Sequence, residues 1–312
     1  MCLPWTPNLT SPRLGVPDEV NTREVEYIIV TSTQPVAWDL SGFGDEIDPD
    51  PRLQISVLKA LGARHIEVRS AWGVNVVDLD DEQLAALAAL LRDQEMTASA
   101  VASPIGKVDV SLDADLEVAR LRRIIRVADA LGTPNIRIFS FFRSAGVAVE
   151  SIRDDVLLRM RLLADEAERA GVTLLHENEK DIYGDTPERV LDLVESVGSS
   201  ALRLAWDSAN FVQVGVAHPH DDGYAMLRPY LDYLQVKDAV AATGEVVPAG
   251  QGDGQVLSTL TALRDDGYTG FASLEPHLAA AHELGGFSGP AAFGDAARAF
   301  SGLVSQIGVT TK

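Results

Sequence analysis

The chain has 312 residues, of which 46% are apolar, so it can bury a large core, and its length does not by itself force more than one domain. Its formal net charge of −20 and pI near 4.6 oppose binding to nucleic-acid phosphates and to anionic membranes. Cys2 is the only cysteine, which excludes an intrachain disulfide framework and a cysteine-based zinc site.

Residues 1–33 read as an N-terminal extension, with a short apolar run at Tyr27–Val30 as an edge strand. Met1 to Val20 holds four prolines and no apolar h-region, so no secretory leader is expected. No apolar run approaches the roughly 18 residues of a membrane span, and the cytoplasm is the expected compartment.

From residue 34 to residue 312 short β-type runs alternate with helical stretches. The runs are Pro35–Asp39, His65–Arg69, Thr97–Ala102, Asn135–Ser140, Val172–Glu177, Leu202–Asp207, Leu231–Lys237 and Phe271–Glu275. Between them, Asp80–Arg92 opens with three acidic residues and repeats Leu84, Leu87, Leu90 and Leu91. Asp113–Leu131 gathers Leu116, Ala119, Ile124, Val127, Ala128 and Leu131 near one face. Gly62, Gly132 and Gly171 follow helices and are expected to take positive φ. Thr186-Pro187-Glu188 reads as N-cap, N1 proline and first-turn acid. Eight β–α units imply parallel strands with right-handed crossovers, first a closed (β/α)8 barrel and second a doubly wound open sheet. No G-x-G-x-x-G turn follows a first strand, so no nucleotide cofactor is expected.

In a barrel, the C-terminal ends of the strands face one shared mouth. The last four runs each end on a ligand-type residue: Glu177, Asp207, Gln235 and Glu275. Three carboxylates and one amide oxygen suit one hard divalent cation, Mn2+ or Mg2+, better than Zn2+. Without a cation, three converging anions would repel and at least one pKa would rise. Each residue also has a plainer reading. Glu179 competes with Glu177, Asp207 suits a helix cap, and Gln235 suits a backbone hydrogen bond at a strand end.

These segments are similar to the xylose-isomerase-like TIM-barrel superfamily of sugar isomerases and epimerases. The resemblance rests on Gly44–Ile47 (Gly-Asp-Glu-Ile), His65–Arg69, Ser103–Lys107, Ile136–Phe142, His176–Glu179, Trp206–Asn210, Gln235–Asp238 and Ser273–His277. It implies a metal held by Glu177, Asp207 and Glu275, with Gln235 where the family usually has His. It further implies a metal that chelates a carbonyl and a neighbouring hydroxyl, and a ligand carboxylate, Glu177 or Glu275, that abstracts a proton to give an enediolate. In epimerases the opposite carboxylate returns the proton to the other face.

Around that centre, Lys107 and His277 are further catalytic candidates. Asn210, Arg137, Lys237 and Trp38 are substrate-binding candidates. Lys107 and Arg137 would bind a substrate oxyanion or else pair with Glu67 or Asp109. Lys237 would reach the mouth or neutralise carboxylates. Trp38 and Trp72 would wall a sugar ring or pack in the core. His176 should face away from the mouth, and His218 and His220 read as loop residues. The expected partner is a small carbohydrate or keto-polyol, with a homo-oligomer or a small partner subunit left open. The function expected is a sugar or keto-polyol isomerase or epimerase. A lyase on the same scaffold is the alternative, as a dehydratase or as a subunit eliminating an aglycone from a 3-keto sugar. An endonuclease IV-like DNA-repair barrel is disfavoured by six histidines and the charge of −20. A non-catalytic binding barrel is the remaining reading.

Overall fold

The computed structural model describes Met1, residues 36–282 and residues 285–312. The expected extension and its edge strand at Tyr27–Val30 lie outside the described residues.

Eight parallel strands form the barrel wall: β1 Ala37–Gly42, β2 His65–Val68, β3 Thr97–Ala102, β4 Asn135–Ile138, β5 Thr173–Glu177, β6 Leu202–Asp207, β7 Leu231–Val236 and β8 Phe271–Leu274. From β2 to β8 each pairs with its sequence neighbour, and β8 pairs with β1. The ring closes through a parallel bridge between Phe43 and Glu67. A two-residue strand, β9 Thr310–Thr311, lies beside the start of β1. The (β/α)8 reading therefore holds. The first strand lies later than expected, at Ala37–Gly42 instead of Pro35–Asp39, because Leu40, Ser41 and Gly42 continue the ladder opposite Ala272, Ser273 and Leu274.

Seven helices pack around this wall: α1 Pro51–Ala60, α2 Asp81–Asp93, α3 Ala114–Leu131, α4 Arg153–Ala170, α5 Pro187–Val197, then, after a short α6 Ser208–Gln213 at the mouth, α7 Val256–Asp265 and α8 Gly289–Gln306. Their boundaries follow local chemistry. Asp80 caps α2 by accepting from the Gln83 amide at 2.8 Å, while the Gln83 side chain accepts from the Asp80 amide at 3.1 Å. Asp113 caps α3 with a single bond, accepting from the Asp115 amide at 3.0 Å. Thr186 and Pro187 open α5 as expected, although the Thr186 side chain makes no capping bond. Gly132 and Gly171 end α3 and α4 at φ 73° and 69°, and Gly62 follows α1 at φ 90°.

The buried face of α3 matches the expected one at Ile124, Val127, Ala128 and Leu131 but differs in its first turns. Val118, Leu121, Ile124, Val127 and Leu131 face the sheet, whereas Leu116 is 56% exposed. Each fully buried Leu, Ile or Val contributes about 1.5–3 kcal/mol relative to exposure, so the face aligned on Leu121 prevails. The main core lies between sheet and helices, while Ala100, Leu175, Ala205 and Tyr233 plug the barrel interior. One irregularity matters for the site. Ile66 pairs with Ala98 but Glu67 with Ala100, which leaves Ser99 unopposed as a bulge. Its hydroxyl reaches Ser41 at 2.6 Å and Tyr233 at 2.8 Å.

Candidate metal centre

Above the Tyr233 plug the inward positions turn polar. Side chains alternate along a strand, so Leu175 and Glu177 share one face, as do Ala205 and Asp207, Tyr233 and Gln235, and Ser273 and Glu275. Asp207 lies opposite Gln235, and Gln235 opposite Ser273, with Glu275 two residues further along. This register brings carboxylate oxygens of Glu177, Asp207 and Glu275 within 4.8 Å of one another, all buried. Glu179, the rival of Glu177, instead pairs with Lys107 at 3.0 Å.

Each ligand candidate is held by an identifiable donor. Arg137 Nη1 donates to Glu177 Oε2 at 2.9 Å, and Asn210 Nδ2 donates to Glu177 Oε1 at 3.1 Å. Asp207 does two jobs: its Oδ1 caps α6 by accepting from the Asn210 amide at 2.9 Å, while its Oδ2 lies 2.7 Å from Lys237 Nζ. That contact is close but poorly aligned, because Asp207 Oδ2 has no acceptable hydrogen bond. Lys237 also donates to Glu275 Oε2 at 3.1 Å. Arg69 reaches Glu275 Oε1 at 3.5 Å and Asp45 at 2.8 Å. His277 Nε2 lies 3.1 Å from Glu46 and 3.3 Å from Glu275. The amide oxygen of Gln235 is buried and has no partner, while its nitrogen donates to Glu67.

The two flanking carboxylates titrate in opposite directions. Burial, together with the charge of Glu275, raises the Glu177 pKa. Burial also pushes Glu275 up, but Lys237, His277 and Arg137 outweigh it and hold the group well below its ordinary value. Burial raises Asp207 to about 7 even against the pull of Lys237. Burial opposes the charge on His277, yet Glu275 and Glu46 raise its pKa to about 9.

The donor set fits a hard cation on the structure's own terms. Gln235 Oε1 is a buried acceptor without a hydrogen bond, and Asp207 Oδ2 meets only the poorly aligned Lys237 ammonium, in a cluster with two more carboxylates. Such atoms otherwise leave a desolvation penalty unrecovered.

Several site expectations are corrected by burial. Trp38 is fully buried and its indole nitrogen donates to the Tyr268 carbonyl at 2.8 Å, so it packs between sheet and helices and walls no substrate. Lys237 is turned into the carboxylate cluster and Asn210 holds Glu177; neither lines the cavity at the mouth. That cavity, about 80 Å3, is lined by Arg69, Asn75, Lys107, Arg137, Glu275 and His277 among others. Hollows of about 430 and 530 Å3 lie on the helical flanks, away from these carboxylates. His176 does face away from the mouth, donating to or accepting from Ser140 at 2.9 Å.

Three residues were missed. Glu67 lies on β2 and Arg69 just past its end, a polar i, i+2 pair that marks an inward face. Asn178 clamps the Asp207 backbone, donating to its carbonyl at 2.8 Å and accepting from its amide at 2.9 Å. The sequence signal for Asn178 was only its adjacency to Glu177.

Among the described residues no helix is long and apolar enough to cross a membrane. A 2-epi-5-epi-valiolone 7-phosphate 2-epimerase from Actinoplanes sp. is 37% identical over 148 residues, which cover 46% of this chain and 51% of the relative. The match thus spans about half the length of that relative. A crystal structure of a D-tagatose 3-epimerase-like protein superposes with TM-score 0.70 at 16% identity, over 86% of this chain and 98% of the other. A xylose isomerase-like TIM barrel protein from Mycobacterium smegmatis, solved in complex with magnesium, superposes with TM-score 0.62 at 21% identity, over 88% and 98%. The family model for the xylose isomerase-like TIM barrel matches residues 55–300. With that match covering most of the sequence, the chain belongs to the xylose isomerase-like TIM barrel family.

Proposed function

We propose that this barrel is a divalent-metal-dependent isomerase or epimerase that moves a proton on the carbon next to a carbonyl of a sugar or keto-polyol. The observation that carries the reading is the convergence of Glu177, Asp207 and Glu275 within 4.8 Å, with Gln235, whose buried amide oxygen has no partner, opposite Asp207 on the next strand. Glu177, Asp207, Gln235 and Glu275 would hold the ion, with Mn2+ or Mg2+ suited to an all-oxygen set. When bound, such an ion polarises a carbonyl oxygen and favours the charge that develops on it.

The chain's own groups divide the remaining work. Glu177 has the higher proton affinity of the two flanking carboxylates, and Arg137 and Asn210 fix both its oxygens. It is assigned as the proton acceptor. Glu275, in contact with His277, is assigned to return a proton, with His277 as its reservoir. Lys107 lines the cavity, stacks 4.2 Å from the Phe139 ring centroid and keeps 35% of its side chain exposed. Although paired with Glu179 at 3.0 Å, it is assigned to meet an anionic substituent, and the similar Actinoplanes protein is named for a substrate carrying a phosphate.

The same deprotonation would expel a leaving group one carbon further on, which is the lyase alternative. Proton NMR in D2O separates the two. Incubation with Mn2+ and a panel of keto sugars, cyclitol ketones and their phosphates should exchange one α-proton with the carbon skeleton retained. An unsaturated or shortened product would assign the lyase. No exchange and no product with any member of the panel, in protein shown to hold metal, would count against both.

A further inference from the structure

We propose that Glu67 is a positioning residue that decides which end of the Gln235 amide faces the cation. The inference rests on the metal-binding reading above and deepens it. Gln235 and Glu67 sit on β7 and β2, which are not neighbours in the wall, so their contact spans the barrel interior. The Gln235 nitrogen lies 3.1 and 3.3 Å from the two oxygens of Glu67, and both residues are buried.

A primary amide offers two faces of nearly equal size, one donor and one acceptor, and nothing in the residue itself chooses between them. An ionised carboxylate offers acceptors alone. Set against an ionised Glu67, the amide turns its NH2 group toward that carboxylate, which leaves Oε1 facing away from it. That oxygen is the one with no hydrogen-bond partner. Glu67 is held in turn. Tyr233 donates to its Oε2 at 3.0 Å, and Ser99 and Ser41 continue the chain behind Tyr233. When Glu67 is ionised it only accepts, and the relay then runs Ser41 to Ser99 to Tyr233 to Glu67. The bulge at Ser99 is what brings its hydroxyl into that line. The barrel plug therefore ends in a fixed acceptor, and the acceptor fixes the amide.

This also accounts for an amide at a position where a neutral imidazole would serve. Either group gives Glu67 one N–H and presents a lone pair to a metal, and an outer carboxylate behind a ligand is a general device for orienting it. With oxygen in place of nitrogen the preference moves to hard ions.

The test is Mn2+ binding by the metal alone, followed by the EPR signal of free Mn2+, on wild type, Q235A, E67Q and the reciprocal E67Q/Q235E, with chelator-treated melting curves for each. Wild type should bind one ion. Q235A should weaken binding, which checks the ligand reading independently. E67Q should weaken it by about 10- to 100-fold, the usual effect of losing such a partner, because residue 67 can then donate and release the amide to turn. The swap restores one donor facing one carboxylate and places an anionic oxygen ligand at residue 235, so affinity should return to the wild-type value or exceed it. Affinity unchanged in E67Q, or no recovery in the swap relative to E67Q, would overturn the proposal while leaving the ligand reading intact if Q235A is weakened. A wild type that binds no Mn2+ would overturn both. A lower apo melting temperature in E67Q with unchanged affinity would mark Glu67 as structural only.

Discussion

Replacing Lys237 by Met removes a buried ammonium that lies 2.7 Å from Asp207 and 3.1 Å from Glu275 while keeping most of the stem. Three carboxylates then share a buried cluster with Arg137, Arg69 and the protonated His277 as the remaining close cations. Breaking a buried ion pair by removing one partner costs about 3–5 kcal/mol. For a domain of this size that is a fall in melting temperature on the order of 10 °C. The fall should depend on metal. A ligand at 100 times its Kd stabilises the folded state by about 2.7 kcal/mol. In K237M the ammonium no longer competes for Asp207 and Glu275, so Mn2+ should bind more tightly and stabilise the variant more than it does wild type. Melting curves in chelator and in saturating Mn2+ therefore give a wide gap between the two proteins in the first condition and a narrow one in the second. An apo variant melting within about 2 °C of wild type would refute the estimate drawn from buried-pair energetics. A gap of equal width in both conditions would refute the idea that lysine and metal satisfy the same oxygens.

Gly106 precedes Lys107 at φ 82°, and a Cβ there would lie 2.1 Å from the Phe139 carbonyl oxygen. G106A should lose roughly 3 kcal/mol or more in urea unfolding, since backbone meets backbone and neither yields; a loss under about 1 kcal/mol would contradict this contact. Asp238 accepts from the amides of Gly250, Gly252 and Gly254 at 2.9, 3.0 and 2.9 Å. D238N turns a donor toward that glycine loop and should cost about 2 kcal/mol, seen as faster hydrogen exchange at those amides, with unchanged exchange as the contrary result. His277 has a folded pKa of about 9 against an ordinary 6.5. A raised pKa means stability that is full below pH 6.5 and lost as pH climbs through about 9. The apo protein should lose stability across that window, and H277Q should show a flatter profile; parallel profiles would remove His277 as the cause.

Much of the barrel was legible because parallel strands buried on both faces read as short apolar runs, and because each of the last four stops on a polar residue. The alternation rule then carried Glu177, Asp207, Gln235 and Glu275 to one face and His176 to the other. What the sequence could not supply was depth. Trp38, Lys237 and Asn210 all carry groups that suit a sugar, and only packing shows Trp38 turned toward Tyr268 and the other two turned onto carboxylates. The first strand was set too early, at Pro35–Asp39, since the pairing that defines it comes from β8, more than 200 residues away. The contact between Glu67 and Gln235 depends on barrel closure and on a one-residue bulge, neither of which leaves a local trace. On α3 the expected face held at Ile124, Val127, Ala128 and Leu131 and failed in the first turns, because Leu116 is as apolar as Leu121 and only the fold chooses between them.

The most direct measurement is anomalous diffraction from crystals soaked in Mn2+. The account predicts a single strong peak bounded by oxygens of Glu177, Asp207, Gln235 and Glu275, absent after chelation. No peak there, or a peak held instead by Glu46 and His277, would contradict it.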